Sequence, residues 1–316
     1  MALEVWTEKY RPLKLDEIAN QKHVVERLKE WVKEGSIPNM LFTGQAGIGK
    51  TTAALCLARE IFGDHWKENF QETNASDERG IDVVRGRIKD FARTKPMGSD
   101  FKIVFLDESD ALTPEAQQAL RRTMERFSGV CRFILSCNYS SRVIEPIQSR
   151  CSVFRFRRLS AEDVKSYLLR IVKGENLKVP EEAYEAIYEI SAGDVRKSVN
   201  ILQAAATLPQ ITRDGIYAVV AQVKPEDVSE MMKLASSGDF SGARKALQDM
   251  LINKGLSGDD IIRSMHSHIF KMDMEDEKRL AMIEKLGEYE FRLNQGGTPE
   301  IQLEALLAQF MKMSKG

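Results

Sequence analysis

The sequence has no C-x-x-C pair, no uninterrupted apolar run of about 18 residues and no surplus of one charge, and each absence removes a class of protein. Its four cysteines, Cys56, Cys131, Cys137 and Cys151, sit inside apolar strand-like or helical runs away from any histidine. A reducing cytosolic compartment fits that pattern and a zinc site does not. The N-terminus lacks a basic-then-apolar signal pattern, which argues, with the missing apolar run, against secretion and against a membrane span. Histidine is scarce at 4 residues, and His266 and His268 stand two apart, on different faces of a helix, so a metal site there is not expected. Lys+Arg is 46 against Asp+Glu 47, a net charge of −1, so any surface for a nucleic acid must be local. What is left, at 43% hydrophobic and 29% charged, is globular, and 316 residues exceed one typical core. Two or three domains are expected.

The stretch around which the chain is organised is Met40-Leu-Phe-Thr-Gly44-Gln-Ala-Gly47-Ile-Gly49-Lys50-Thr51-Thr52, an apolar strand, a glycine-rich turn and the start of a helix. G-x-x-x-x-G-K-T in that context is a phosphate-binding loop. Gly44 and Gly49 let the backbone curl so that successive N–H groups point inward, and Gly47 removes one more side chain. The helix adds its unpaired first-turn N–H groups and the positive end of its dipole. Lys50 supplies a charge for the β- and γ-phosphates, and Thr51 a hydroxyl for Mg²⁺. The candidate ATP-binding segment is therefore Gly44, Gln45, Ala46, Gly47, Ile48, Gly49, Lys50, Thr51 and Thr52.

Phe101-Lys-Ile-Val-Phe-Leu106 is apolar at all but one position and reads as a buried parallel strand, delivering Asp107 and Glu108 at its C-terminal end. Ligands bind at that end in open α/β sheets. Asp107 is placed to hold Mg²⁺ through a bound water, and Glu108 to orient and deprotonate an attacking water. Val130–Asn138 is a further buried strand; Asn138 is either a turn residue or, at the same sheet edge, a contact for the γ-phosphate or water. Between these strands Thr113 and Pro114 open a capped helix, and after them Ser149-Arg150-Cys151 leads into a strand from Ser152.

Two basic segments carry open readings. Trp6-Thr-Glu-Lys-Tyr-Arg-Pro12, held extended by proline, is either an ordinary packed arm or a cover for the nucleotide base. On a helix starting near Ile81, Arg85 and Lys89 share one face while Val84, Ile88 and Phe91 fall on another. That stripe is either a solvated face or a seat for a phosphate backbone. From Leu159 onward only helices are expected, with Ser160 and Asp163 as a capping box and Asp194 as the N-cap of a helix through Leu202. The last portion is punctuated at Gly238, Gly255, Gly287 and Gly296-Gly297. It holds Met231, Met232, Met250, Met265, Met272, Met274, Met282, Met311 and Met313, which read as adaptable core filling or as a helix-to-helix interface.

Taken in order, these features resemble the AAA+ ATPases, and more narrowly the replication factor C small-subunit family, the clamp loader of archaea and eukaryotes. The quoted matches are Trp6–Pro12, Asn74-Ala-Ser-Asp77 with Arg79-Gly-Ile-Asp-Val-Val-Arg85, Gln118-Ala-Leu-Arg-Arg122, Ser149-Arg-Cys151 and Gly193-Asp194-Val195-Arg196. The final portion matches in length and helical character. The resemblance implies an α/β P-loop AAA+ parallel-sheet domain over 1–158, a helical lid with sensor 2 over 159–223 and an all-helical collar over 224–316. It makes Lys50 and Thr51 Walker A, Asp107 and Glu108 Walker B, Asn138 sensor 1 and Arg196 sensor 2. Thr7 and Arg11 lie near adenine and phosphates, and Arg150 acts in trans on ATP held by the adjacent subunit. Arg79, Arg85 and Lys89 line a spiral around primer–template DNA. The implied activity is ATP hydrolysis, stimulated by DNA and clamp, that drives opening and loading of a sliding clamp. Its implied partners are further small-subunit copies, a large subunit, the clamp and DNA, with no membrane. The implied location is the cytoplasm, at the nucleoid in a prokaryote, or the nucleus in a eukaryote.

The chain departs from that family in two places. Gln45, Ala46 and Ile48 replace the usual prolines and threonine, and Ser109 replaces the usual alanine; none supplies a phosphate or metal ligand by side chain. The zinc insertion of the bacterial counterpart and the extensions of the eukaryotic large subunit are missing. A Holliday-junction or other AAA+ DNA motor is the nearest rival among ATPases, and Trp6–Pro12 and Ser149-Arg150-Cys151 argue against it. A subunit that keeps ATP only as a structural ligand would have damaged Walker B or finger residues, whereas Asp107, Glu108 and Arg150 are intact.

Overall fold

The computed structural model describes residues 4–76, 80, 82 and 84–315, with the side chains of residues 84, 85 and 315 outside the description. Two compact units result, Met1–Gln203 and Ala204–Gly316. Residues 159–203 of the expected lid thus go with the sheet and 204–223 with the helical unit.

The first unit is built on five parallel strands: β1 (Met40–Thr43), β2 (Phe70–Asn74), β3 (Lys102–Asp107), β4 (Cys131–Cys137) and β5 (Ser152–Arg155), in the order β2-β3-β4-β1-β5. The continuous apolar runs become the interior strands, since only these are covered on both faces; Ile103, Val104, Phe105 and Leu106 are fully buried. At the edge the pattern alternates instead, with Phe154 buried and Val153 exposed. The helix Lys50–Phe62 is sealed nearly all round, as its run of Ala53, Ala54, Leu55, Cys56, Leu57 and Ala58 requires. Phe154 fits edge-on between Phe42 (5.6 Å) and Trp31 of the helix Lys22–Glu34 (5.4 Å). On the opposite face Leu41, Val104, Leu106, Phe133 and Leu135 pack with Leu120 and Met124 of the helix Pro114–Arg126. The expected caps form: the Thr113 side chain accepts from the Ala116 N–H, and Ser160 with Asp163 closes a capping box.

Three local expectations are corrected. Trp6–Lys9 is a helical turn rather than extended chain, because proline restricts only the residue before it, here Arg11. The expected α-helix from Ile81 is a π turn over Val84–Ile88 followed by an α-helix over Lys89–Arg93; Ile81 lies outside the described residues. The wider turn breaks the 3.6-residue period, and Ile88 and Ala92 are the buried pair, with Phe91 packed partly beside them. Gly287 does not punctuate: it lies inside the 19-residue helix Asp276–Asn294, since one glycine costs a helix only about 1 kcal/mol.

Every regular element among the described residues of the second unit is helical, from Arg213–Val219 to Pro299–Lys315. Eight of its nine methionines, all but Met311, lie in or against a core shared with Leu247, Ile261, Leu303, Leu307 and Phe310, which favours the core-filling reading. Among the described residues no helix is long and apolar enough to cross a membrane.

Two measurements follow from this packing. Phe154→Ala is expected to lower unfolding stability by about 3–5 kcal/mol, and its exposed neighbour Val153→Ala by no more than about 0.5 kcal/mol, in denaturant titrations. Burial pushes the thiols of Cys56 and Cys131 up to about 12 and that of Cys137 to about 11. Iodoacetamide at neutral pH should therefore leave these three unlabelled in the folded chain and label them in denaturant, read by mass spectrometry.

Candidate active site

Parallel pairing brings the ends of β1, β3 and β4 to one edge of the sheet, with Thr43 beside Cys137 and Asn74 beside Asp107. The loop leaving β1 turns into the helix Lys50–Phe62 through Gly49, whose φ of +98° suits glycine at a helix N-cap. Gly47 is forced for a second reason: a Cβ there would lie 1.9 Å from Oδ1 of Asp194. The Val195 N–H donates to the Gly47 carbonyl at 3.0 Å, so the loop and the start of the helix Val195–Ala205 are joined directly. Asp194 also accepts from the Lys197 N–H (2.9 Å), capping that helix as expected.

Lys50 is only 7% exposed. Its Nζ donates to the carbonyls of Gly44 and Gln45, both at 2.6 Å, and to Oδ1 of Asn138 at 3.2 Å. Burial holds its pKa below the usual lysine range, with Arg196 adding to that effect and Asp107 opposing it. Thr51 Oγ1 donates to Asp107 Oδ2 at 2.7 Å, so the two candidate Mg²⁺ ligands are adjacent. Glu108 takes a left-handed backbone, φ +51°, and its N–H donates to Asp107 Oδ1 at 3.0 Å. A non-glycine residue held there costs about 1–3 kcal/mol, which the surrounding bonds must offset. The neighbouring residues do so: Ser109 Oγ donates to the Ser136 carbonyl (2.6 Å), and Asp110 Oδ2 accepts from the N–H groups of Asn138 (3.2 Å) and Tyr139 (3.1 Å). The end of β3 is thereby fixed to the end of β4.

One cavity gathers Thr7, Arg11, Ala46, Gly47, Ile48, Gly49, Lys50, Thr51, Thr52, Asp107, Glu108, Asn138 and Arg196. Gly44 and Gln45 are outside that lining and act on it through their carbonyls. The N-terminal arm is both packed and a wall of the cavity. The Trp6 N–H donates to Gln203 Oε1 (3.1 Å), Tyr167 OH to the Tyr10 carbonyl (2.9 Å), and Lys9 Nζ and Tyr10 OH to Glu175 Oε1 (2.8 and 2.7 Å). Those bonds hold the Glu175 carboxyl below its usual range, Lys9 contributing most.

Arg150 is not in the lining. Its guanidinium pairs with Glu125 (2.8 Å) and donates to the Pro146 carbonyl (2.7 Å). Of the candidate DNA contacts, Arg79 and the Arg85 side chain lie outside the described residues, and Lys89 is half-buried on the helix Lys89–Arg93, away from the cavity lining. Sequence reasoning missed the apolar wall, Pro12, Ile18, Leu159, Tyr167, Val195 and Val199, which comes from separate elements and has no spacing to betray it. It also passed over Arg158, whose Nε donates to Gln45 Oε1.

Comparison with known proteins agrees with this geometry. Residues 40–159 match the ATPase family associated with various cellular activities (AAA), and residues 223–309 the replication factor C C-terminal domain. The chain is 54% identical to a replication factor C small subunit of Methanosarcina barkeri, over 97% of this chain and 96% of that one. It is 50% identical to the same subunit of Archaeoglobus fulgidus, over 99% and 98%. Among solved structures, the Thermotoga maritima RuvB Holliday junction branch migration motor superposes with a TM-score of 0.57 at 18% identity, covering 78% of this chain and 86% of that one, a likeness of fold alone. The chain belongs to the replication factor C small-subunit family and is an AAA+ ATPase of the clamp-loader class that serves DNA replication.

Proposed function

We propose that the cavity binds ATP with Mg²⁺, and that hydrolysis completed by a neighbouring copy drives the opening of a sliding clamp and its loading onto primer–template DNA. The observation that carries this reading is how the predicted residues sort. Lys50, Thr51, Asp107, Glu108, Asn138 and Arg196 line one cavity, while Arg150 is held outside it by Glu125.

The loop amides and Lys50 would take the phosphates, Lys50 exchanging carbonyl oxygens for phosphate oxygens. Thr51 and Asp107 present a hydroxyl and a carboxylate side by side, the hard oxygen donors Mg²⁺ selects, with the remaining positions left for phosphate and water. The ion's contribution is to neutralise charge on the β- and γ-phosphates. Glu108 accepts the proton of the attacking water, Asn138 orients the water or the γ-phosphate, and Arg196 faces the charge that develops there. Thr7 and Arg11 hold the nucleotide from the arm side. Arg150 of an adjacent copy supplies the last positive charge, so turnover belongs to the assembly of small-subunit copies with a large subunit. Arg79, Arg85 and Lys89 contact the DNA backbone, which gives affinity without sequence preference. We divide the chain by role into a nucleotide-binding part (1–158), a lid (159–223) and a collar (224–316), working in the cytoplasm at the nucleoid.

Steady-state ATPase with and without primed DNA and clamp tests the reading. Arg150→Ala should still bind ATP but lose about 10³-fold or more in turnover, and mixing it with Lys50→Ala chains should restore part of the activity. Wild-type turnover by Arg150→Ala, or no response to DNA, would replace the reading with one of ATP as a structural ligand. For the DNA contacts, Lys89→Ala should reduce the slope of log affinity against log salt by about 1 without changing sequence preference.

A further inference from the structure

We infer that Arg158 is a positioning residue for nucleotide binding, acting through Gln45 as a strap between the phosphate-binding loop and the turn that precedes Arg196. The inference rests on the loop being the nucleotide site. Gln45 is held at two points. Its carbonyl accepts from Lys50 Nζ at 2.6 Å, and its side-chain oxygen accepts from Arg158 Nε. Arg158 Nη1 also donates to the Ala192 carbonyl at 3.3 Å. Ala192 and Gly193 both have left-handed backbones, φ +50° and +85°, and a Cβ on Gly193 would meet the Leu159 carbonyl at 2.5 Å. The turn is thus pressed onto the chain next to Arg158, and two residues further on Val195 donates to Gly47.

One guanidinium therefore fixes the spacing between the loop that holds Lys50 and the turn that presents Arg196. When Lys50 leaves the Gln45 carbonyl for a phosphate, the peptide it releases stays tethered through the Gln45 side chain, so the loop keeps the shape the phosphates need. A proline at 45 would offer no side-chain acceptor, which makes the strap a property of a loop carrying glutamine there. Arg158 and Gln45 are both exposed, so truncating either leaves the core intact.

The test is the affinity of a fluorescent ATP analogue for wild type, Arg158→Ala, Gln45→Ala and the double variant, with Lys50→Ala as control. Each single truncation should weaken binding about fivefold, the size of one exposed charge-assisted hydrogen bond, and the double variant should be no weaker than the singles. In turnover, Arg158→Ala should raise KM by the same factor with kcat within about twofold of wild type. Amide exchange at Val195 should quicken in all three strap variants. Wild-type affinity in Arg158→Ala, or losses that multiply to about 25-fold in the double variant, would overturn the strap while leaving the nucleotide site standing. Wild-type affinity in Lys50→Ala would instead remove the site, and the strap with it.

Discussion

A buried ammonium with no ion-pair partner among the described residues is the constraint on which the nucleotide-binding unit depends. Lys50 is almost wholly covered, and the oxygens that receive its Nζ are two carbonyls and an amide. Asp107, the carboxylate that acts most on Lys50, is already engaged by Thr51. Desolvating a charge without a paired counter-charge costs several kcal/mol, and the depressed pKa of Lys50 is the same cost expressed as proton affinity. Lys50 and Arg196 share the cavity with Asp107 and Glu108, Arg11 is paired with Glu8, and the helix dipole adds positive charge where the loop amides converge. A polyphosphate bound at the loop would give the buried ammonium the anion it is not paired with.

Such a site needs a rigid frame, and the sheet order provides it. β1 stands between β4 and β5, while β3 pairs with β4 on the other side, so the loop after β1, the carboxylates after β3 and the amide after β4 share one edge. The crossings from one strand end to the next are then tied laterally by Ser109 and Asp110. Ser109, where the chain departs from the family pattern, spends its hydroxyl on the Ser136 carbonyl. Fully buried strands keep these ends from shifting, because a register slip of β3 would draw the Asp107 carboxylate into the apolar interior.

How much of this was legible in the sequence follows from how local each signal is. The loop, the buried strands and the Thr113, Ser160 and Asp194 caps are written in contiguous residues, and they stand where they were read. The α-helical phase around Arg85 was not legible, since a π turn leaves no mark in a hydrophobic pattern. Gly287 misled because glycine's helix cost is small against the packing of Met282, Leu286 and Tyr289 around it. The cavity's apolar wall and the Arg158–Gln45 contact join residues far apart in the chain, and no periodicity encodes such a meeting.

The placement of the arginines is what turns a binding site into a device. Arg196 lies on the cavity in the first turn of a helix joined to Gly47 through Val195, so the loop and the charge it faces are directly connected. Arg150 is a charge the unit does not spend on its own cavity; Glu125 keeps it paired at the surface, where an ion pair is worth little and is readily exchanged. A phosphate offered by a neighbouring copy would be a stronger partner than a half-exposed carboxylate, because it would present more negative charge and more acceptor oxygens to the guanidinium. Exchange of Glu125 for that phosphate would couple subunit approach to nucleotide state by the difference between the two pairings, and the coupling would act equally in both directions.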